Sequence, residues 1–111
     1  MAVNFKNAEL ELTTTSTTVY TCPANTTGII TMALVANIDG ASDADVSASW
    51  IDSSNSNKET EIAHSITVKW GSSLNLIPKT LNLEAGDSFK AKASKDGDLA
   101  ITLSIMERNN G

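Results

Sequence analysis

The stretch Phe89-Lys90-Ala91-Lys92-Ala93-Ser94-Lys95-Asp96-Gly97-Asp98-Leu99-Ala100-Ile101-Thr102-Leu103-Ser104-Ile105 decides the fold class. Phe89, Ala91 and Ala93 alternate with Lys90 and Lys92, and Leu99, Ile101, Leu103 and Ile105 form a second run of the same period. A period of two places successive side chains on opposite faces of a strand. Asp96-Gly97 between the two runs is a hairpin signal, because a tight two-residue turn needs residues that accept positive φ.

The same alternation extends toward the N-terminus. Leu74 and Leu76, then Leu81 and Leu83, read as two short strands broken near Pro78. Ile62, His64, Ile66, Val68 and Trp70 form an inward phase, with Ser65, Thr67 and Lys69 outward. Val46, Ala48 and Trp50 alternate with Asp45, Ser47 and Ser49, the pattern of a half-buried strand. From Ile29 to Ile38 both phases are apolar: Ile30, Met32, Leu34, Ala36 and Ile38 in one, Ile29, Ala33 and Val35 in the other. Such a strand is covered twice or faces a partner. Val19 to Cys22 and Leu10 to Leu12 complete the series. No segment keeps helical spacing for more than a turn. Asp39-Gly40, Gly71-Ser72, the polar stretch from Ser53 to Lys58 and Glu84-Ala85-Gly86-Asp87 supply reversals, with Gly86 expected at positive φ. About eight short antiparallel strands with turns every 8–12 residues predict an all-β fold, a single jelly-roll-like β-sandwich. The organisation expected is an N-terminal arm over residues 1–7, the sandwich over 8–107 and a C-terminal tail over 108–111.

Composition restricts the function classes. The chain has 111 residues, room for one domain, and its 41% hydrophobic content suffices for one core. A net charge of −5 with dispersed lysines opposes binding to nucleic acid or to an anionic membrane surface, both of which need a basic stripe. Cys22 is the single cysteine, so no disulfide closes within the chain and stability is expected from packing alone. The N-terminal residues carry no apolar leader pattern, and no run approaches a spanning helix; synthesis in a reducing cytoplasm is expected.

No constellation announces catalysis. His64 is the only histidine, on an inward phase with no nucleophile placed beside it by any motif. Cys22, next to Pro23, reads as a small buried hydrophobe. The acidic loop Asp39-Gly40-Ala41-Ser42-Asp43-Ala44-Asp45 lacks the ligand order and distal Glu of a calcium loop and reads as a strand-capping turn. The acids fall at turns or on outward phases, which leaves no contrasting carboxylate pair for acid–base work. Trp50 and Trp70 fall on inward phases and read as core. The chain is therefore expected to have no catalytic, cofactor-binding or metal site and no cofactor.

Three stretches carry a resemblance: Thr18-Val19-Tyr20-Thr21-Cys22-Pro23-Ala24-Asn25-Thr26-Thr27 leading into Val35-Ala36-Asn37-Ile38-Asp39-Gly40; Gly71-Ser72-Ser73-Leu74-Asn75-Leu76; and Leu83-Glu84-Ala85-Gly86-Asp87-Ser88-Phe89. Together they resemble the small virion structural proteins of tailed bacteriophages, especially those infecting cyanobacteria, over most of residues 17 to 107. The resemblance implies a non-enzymatic virion protein: a capsid decoration or cement protein that binds and stabilises the head shell. The alternatives are a tail or fibre component, or, from another class, a receptor- or glycan-binding module. The implied partners are the major capsid protein or other virion proteins and further copies of the chain, a trimer in the first instance, with no nucleic acid or membrane. The implied location is the virion. Ile29, Ala33 and Val35 are the expected subunit interface, and Val3 and Phe5 the expected arm contacts.

Overall fold

The computed structural model describes residues 2–39 and 41–110. Its strands are β1 (Val3–Glu11), β2 (Thr17–Thr21), β3 (Thr26–Asn37), β4 (Ala44–Asp52), β5 (Lys58–Val68), β6 (Ser73–Asn75), β7 (Leu81–Leu83), β8 (Ser88–Ala93) and β9 (Leu99–Asn109). All pair antiparallel in two sheets. The front sheet has the order β1-β9-β3-β6, with β7 also on β3; the back sheet has the order β2-β8-β4-β5. The chain thus alternates between sheets at nearly every connection, and its first and last strands lie side by side. This is jelly-roll connectivity, with β6 and β7 as one strand interrupted at Pro78.

The core lies between the sheets and is aliphatic apart from Phe89 and Cys22. Leu12, Ile30, Val35, Val46, Leu83, Phe89, Leu99, Ile101 and Leu103 are all fully buried. The inward phase of β9 is the one read from sequence: Leu99, Ile101, Leu103 and Ile105 are buried.

Several expectations need correction. Asp96-Gly97 makes a turn, with Gly97 at φ +77°, but no hairpin, because β8 and β9 belong to different sheets. The turn is held instead from the β1–β2 connection: Thr14 N–H donates to the Asp96 carboxylate (2.8 Å) and Gly97 N–H to the Leu12 carbonyl (3.0 Å). The one hairpin joining consecutive strands of a sheet among the described residues is β4–β5, through Ser53–Asn55 and two positive-φ residues, Ser56 and Asn57. The N-terminal arm is not separate either. β1 runs through the boundary at residue 7 and pairs with β9 from Val3↔Arg108 to Glu11↔Ala100, which also draws residues 108 and 109 out of the expected tail and into β9. Met1 and Gly111 of those segments, and Gly40 of the acidic loop, lie outside the described residues.

Two bulges in β5 explain another departure. The register against β4 shifts between Val46 and Ala48 and again between Ala48 and Ser49, and Ser65 takes φ +48°. Each extra residue reverses the side-chain phase. Ala63 and Val68 are therefore both buried while His64 is exposed. Ile66, in unbroken register with Val68 and opposite the buried Val46, is 39% exposed on the edge strand, and Trp70, beyond the strand, is 59% exposed. Trp50 is half-buried against the core; Trp70 is not a core residue.

Candidate interaction surface and buried polar clusters

β3 contains the bulge that matters most. Its register on β9 shifts between Ile30 and Met32, so Thr31 is the extra residue. Before the bulge Ile30 faces inward opposite Ile105; after it, Ala33 faces inward opposite Leu103 and Val35 opposite Ile101. Ala33 and Val35 are 0% exposed. The expected interface of Ile29, Ala33 and Val35 is therefore split. Ala33 and Val35 are core, and only Ile29 remains on the outer face. Met32, Leu34 and Ala36, expected inside, join Ile29 there, each partly exposed.

The pairing register extends this outer face across the front sheet. Met106 lies beside Ile29 and Phe5 beside Met106, which makes an apolar row over three strands. Phe5 is 81% and Val3 49% exposed. The expected arm contacts thus sit on an apolar sheet face that continues down β3. Charges on this face stand at opposite ends: Arg108 pairs with Val3, whereas Glu9 and Glu11 pair with Thr102 and Ala100. The outer face of the back sheet has another character. There Lys90 and Lys92 lie beside Ser49 and Ser47 of β4, with Glu61 and Glu59 on β5. A sandwich covers one face of each sheet with the other. Of the two remaining faces, one is polar and the other carries an apolar patch among polar residues such as Asn7, Thr102 and Ser104.

Two polar clusters lie behind these faces. Asp87, fully buried, accepts hydrogen bonds from Glu84 N–H (3.0 Å), Ser53 N–H (3.0 Å), Ser53 Oγ (3.0 Å) and the Trp50 indole N–H (3.3 Å). Burial alone would raise the pKa of this carboxyl, but the four donors outweigh it and hold it below the usual carboxylate range. The cluster fastens the β7–β8 turn to the end of the β4–β5 hairpin. Carboxylate oxygens of Asp52, Glu84 and Asp87 come within 4.8 Å of one another. Both oxygens of Asp87 already accept two bonds, and Asp52 caps Ser54 N–H (3.2 Å), so the geometry is that of a turn lock.

Gly86 completes that turn at φ +89°, as its sequence suggests. A Cβ there would stand 2.8 Å from Ser53 Oγ, inside the same lock. Gly86→Ala is expected to lower stability by about 1–3 kcal/mol through combined strain and crowding, read as a lower urea midpoint; an unchanged midpoint contradicts the assigned turn.

The second cluster departs from the expectation that every acid falls at a turn or on an outward phase. Glu107 continues the inward phase of β9 past Ile105 and is 4% exposed. Its carboxylate accepts the Tyr20 hydroxyl and pairs with Lys6 Nζ at 3.1 Å. The cluster joins the edge strands β1 and β2 across the open side of the sandwich. Burial, and then the bond to Glu107, raise the Tyr20 pKa. Gly28 leaves the space for that ring, since a Cβ would meet Tyr20 Oη at 3.1 Å. The sequence signal was an acid in register with four inward aliphatics.

The other candidate residues have structural roles. His64 is exposed and touches Glu61 (2.9 Å). Cys22 is 1% exposed, its thiol 3.3 Å from the Thr26 carbonyl, and burial raises its pKa, which keeps it the protonated, inert form. In the acidic loop Asp39 caps Ser42, Asp43 accepts Trp70 N–H (3.0 Å) and Asp45 accepts the hydroxyl of its cross-strand partner Thr67 (2.8 Å), so the three acids serve separate contacts. Among the described residues every buried side-chain N or O has a hydrogen-bond partner.

No protein-family model matches the chain, and no curated protein matches it. A solved structure described as "Bacillus endospore appendages form a novel family of disulfide-linked pili" is similar in fold. Its TM-score is 0.57 at 10% sequence identity, over 97% of this chain and 86% of that one. The likeness supports a two-sheet sandwich.

Proposed function

We propose that this chain is a non-enzymatic structural protein of a tailed-bacteriophage virion, a capsid decoration protein that docks through the outer face of its front sheet. The observation that carries the docking reading is the contrast between the two outer faces. The front face presents Phe5, Met106, Ile29, Met32 and Leu34, whereas the back face presents lysine and glutamate. A contiguous exposed apolar patch on a small domain marks an interaction site. The virion setting comes from the three sequence stretches that carry the resemblance. Binding to the assembled shell alone would stabilise it by mass action, about 2.7 kcal/mol at a hundredfold excess over the dissociation constant.

A tail or fibre component is the second reading, favoured by the fold likeness to a protein of pili. A glycan-binding module is less well supported. Among the described residues Trp70 is the strongly exposed tryptophan, and Trp50 is engaged with Asp87.

Co-sedimentation of the purified protein with phage heads lacking it tests the proposal. Met32→Glu should weaken attachment at least tenfold and Lys90→Glu leave it unchanged. Loss on Lys90→Glu with retention on Met32→Glu would contradict the assigned face, and attachment to tails alone would establish the second reading.

A further inference from the structure

We infer that in the free protein the front face is covered by a second copy of this chain, with strand directions reversed, so that Arg108 of each copy meets the Glu9–Glu11 end of the other; the pair must part for the same face to meet a head shell. The inference rests on the docking reading and adds what covers the face before attachment.

Three observations carry it. First, the charges of the face are sorted lengthwise: Arg108 beside Val3 at one end, Glu9 and Glu11 at the other. Those ends stand ~20–25 Å apart along β1 at ~3.3 Å per residue. A two-fold axis lying between the sheets and perpendicular to the strands superposes each end on the opposite end of the second copy. Stacking with strands running the same way would place like ends together, which costs affinity.

Second, shape obeys the same symmetry. Phe5 is the most exposed apolar side chain, a knob near the basic end. A shallow groove bordered by Glu9, Glu11, Ala100 and Thr102 lies near the acidic end of the same two strands. Reversal brings the knob of one copy over the groove of the other, twice in one pair. A contact in which the same patch serves both partners is isologous and closes at two. This geometry favours a pair over the trimer expected from sequence.

Third, the area suits the purpose. Strands of 9 to 12 residues, three abreast, present a face of roughly 500 Å² at ~3.3 Å per residue and ~4.8 Å between strands. With the short strands β6 and β7 beside β3, the two copies together clear the roughly 1,000 Å² that a specific interface needs. The apolar row of Phe5, Met106 and Ile29 crosses the three long strands.

Sedimentation equilibrium of the full chain tests the inference, with circular dichroism to confirm folding. Wild type should be a dimer at tens of micromolar. Arg108→Glu and Glu11→Arg should each weaken it at least tenfold, and the double variant should recover most of the loss, because the swap restores opposite charges across the axis. Lys90→Glu, on the other face, should change nothing. A wild type that stays monomeric at several hundred micromolar overturns the inference, as does a double variant no better than the singles. A monomeric wild type whose Met32→Glu variant still loses attachment to heads overturns the pair and leaves the docking reading standing. A dimer that obeys the charge swap while its Met32→Glu variant stays on heads overturns the docking reading and keeps the pair.

Discussion

Val35→Glu is expected to unfold the domain at neutral pH. Val35 is 0% exposed, opposite Ile101 on one side and Leu74 on the other. A glutamate there buries a charge with no partner, one of the few single changes that exceed about 4 kcal/mol. That is a large part of the roughly 5–15 kcal/mol available to a domain of this kind. The comparison that isolates the cause is Leu34→Glu, one residue earlier on the outer face, which should keep the β spectrum and cost about 1 kcal/mol or less in urea. If Leu34→Glu unfolds the chain and Val35→Glu does not, the bulge at Thr31 is absent and the phase that begins at Ile30 continues unbroken.

The second large effect belongs to Asp87. Asp87→Ala leaves two backbone N–H groups, the Ser53 hydroxyl and the Trp50 indole without their acceptor. Removing one member of a buried charged network costs about 3–5 kcal/mol. Asp87→Asn should recover little, because its amide turns a donor toward two donors. The carboxyl is held below its ordinary range in the folded state. Its contribution is therefore fully present above the unfolded value near 4, and it is lost as pH falls through the lower folded value. Urea midpoints from pH 6 to 2 should show wild type losing stability in acid more steeply than Asp87→Ala. Asp39 shifts the same way in both proteins and cancels from the comparison. Parallel acid profiles would contradict the assignment.

The sheets are legible in the sequence because alternation survives wherever a strand is regular. In β9 every inward residue from Leu99 to Ile105 agrees with period two. The positive-φ turn at Gly86 is legible for a similar reason, since the chemistry is local. Bulges are not local in this sense. Thr31 and Ser65 are ordinary strand residues, and nothing in their type marks an extra residue that reverses the phase of the strand beyond it. That single reversal in β3 exchanges the core pair Ala33 and Val35 for the surface set Met32, Leu34 and Ala36. Asp96-Gly97 shows the parallel limit for topology: the turn residues specify a reversal, while the choice of sheet rests on long-range bonds to Thr14 and Leu12. The apolar strand with two candidate faces is β3 as expected, but the face left exposed is the other one. Phe5 and Val3 are exposed apolar residues, in keeping with the sequence, although they belong to a paired edge strand.

Hydroxyl-radical footprinting of the protein, free by dilution and then in its assembled form, measures the central claim most directly. The front face carries reactive side chains in Phe5, Met32 and Met106, and outside its strands His64 on β5 and Trp70 in the β5–β6 connection are exposed reporters. Assembly should protect Phe5, Met32 and Met106 several-fold and leave His64 and Trp70 at their free rates. Protection of His64 and Trp70 with Phe5, Met32 and Met106 unchanged would contradict it.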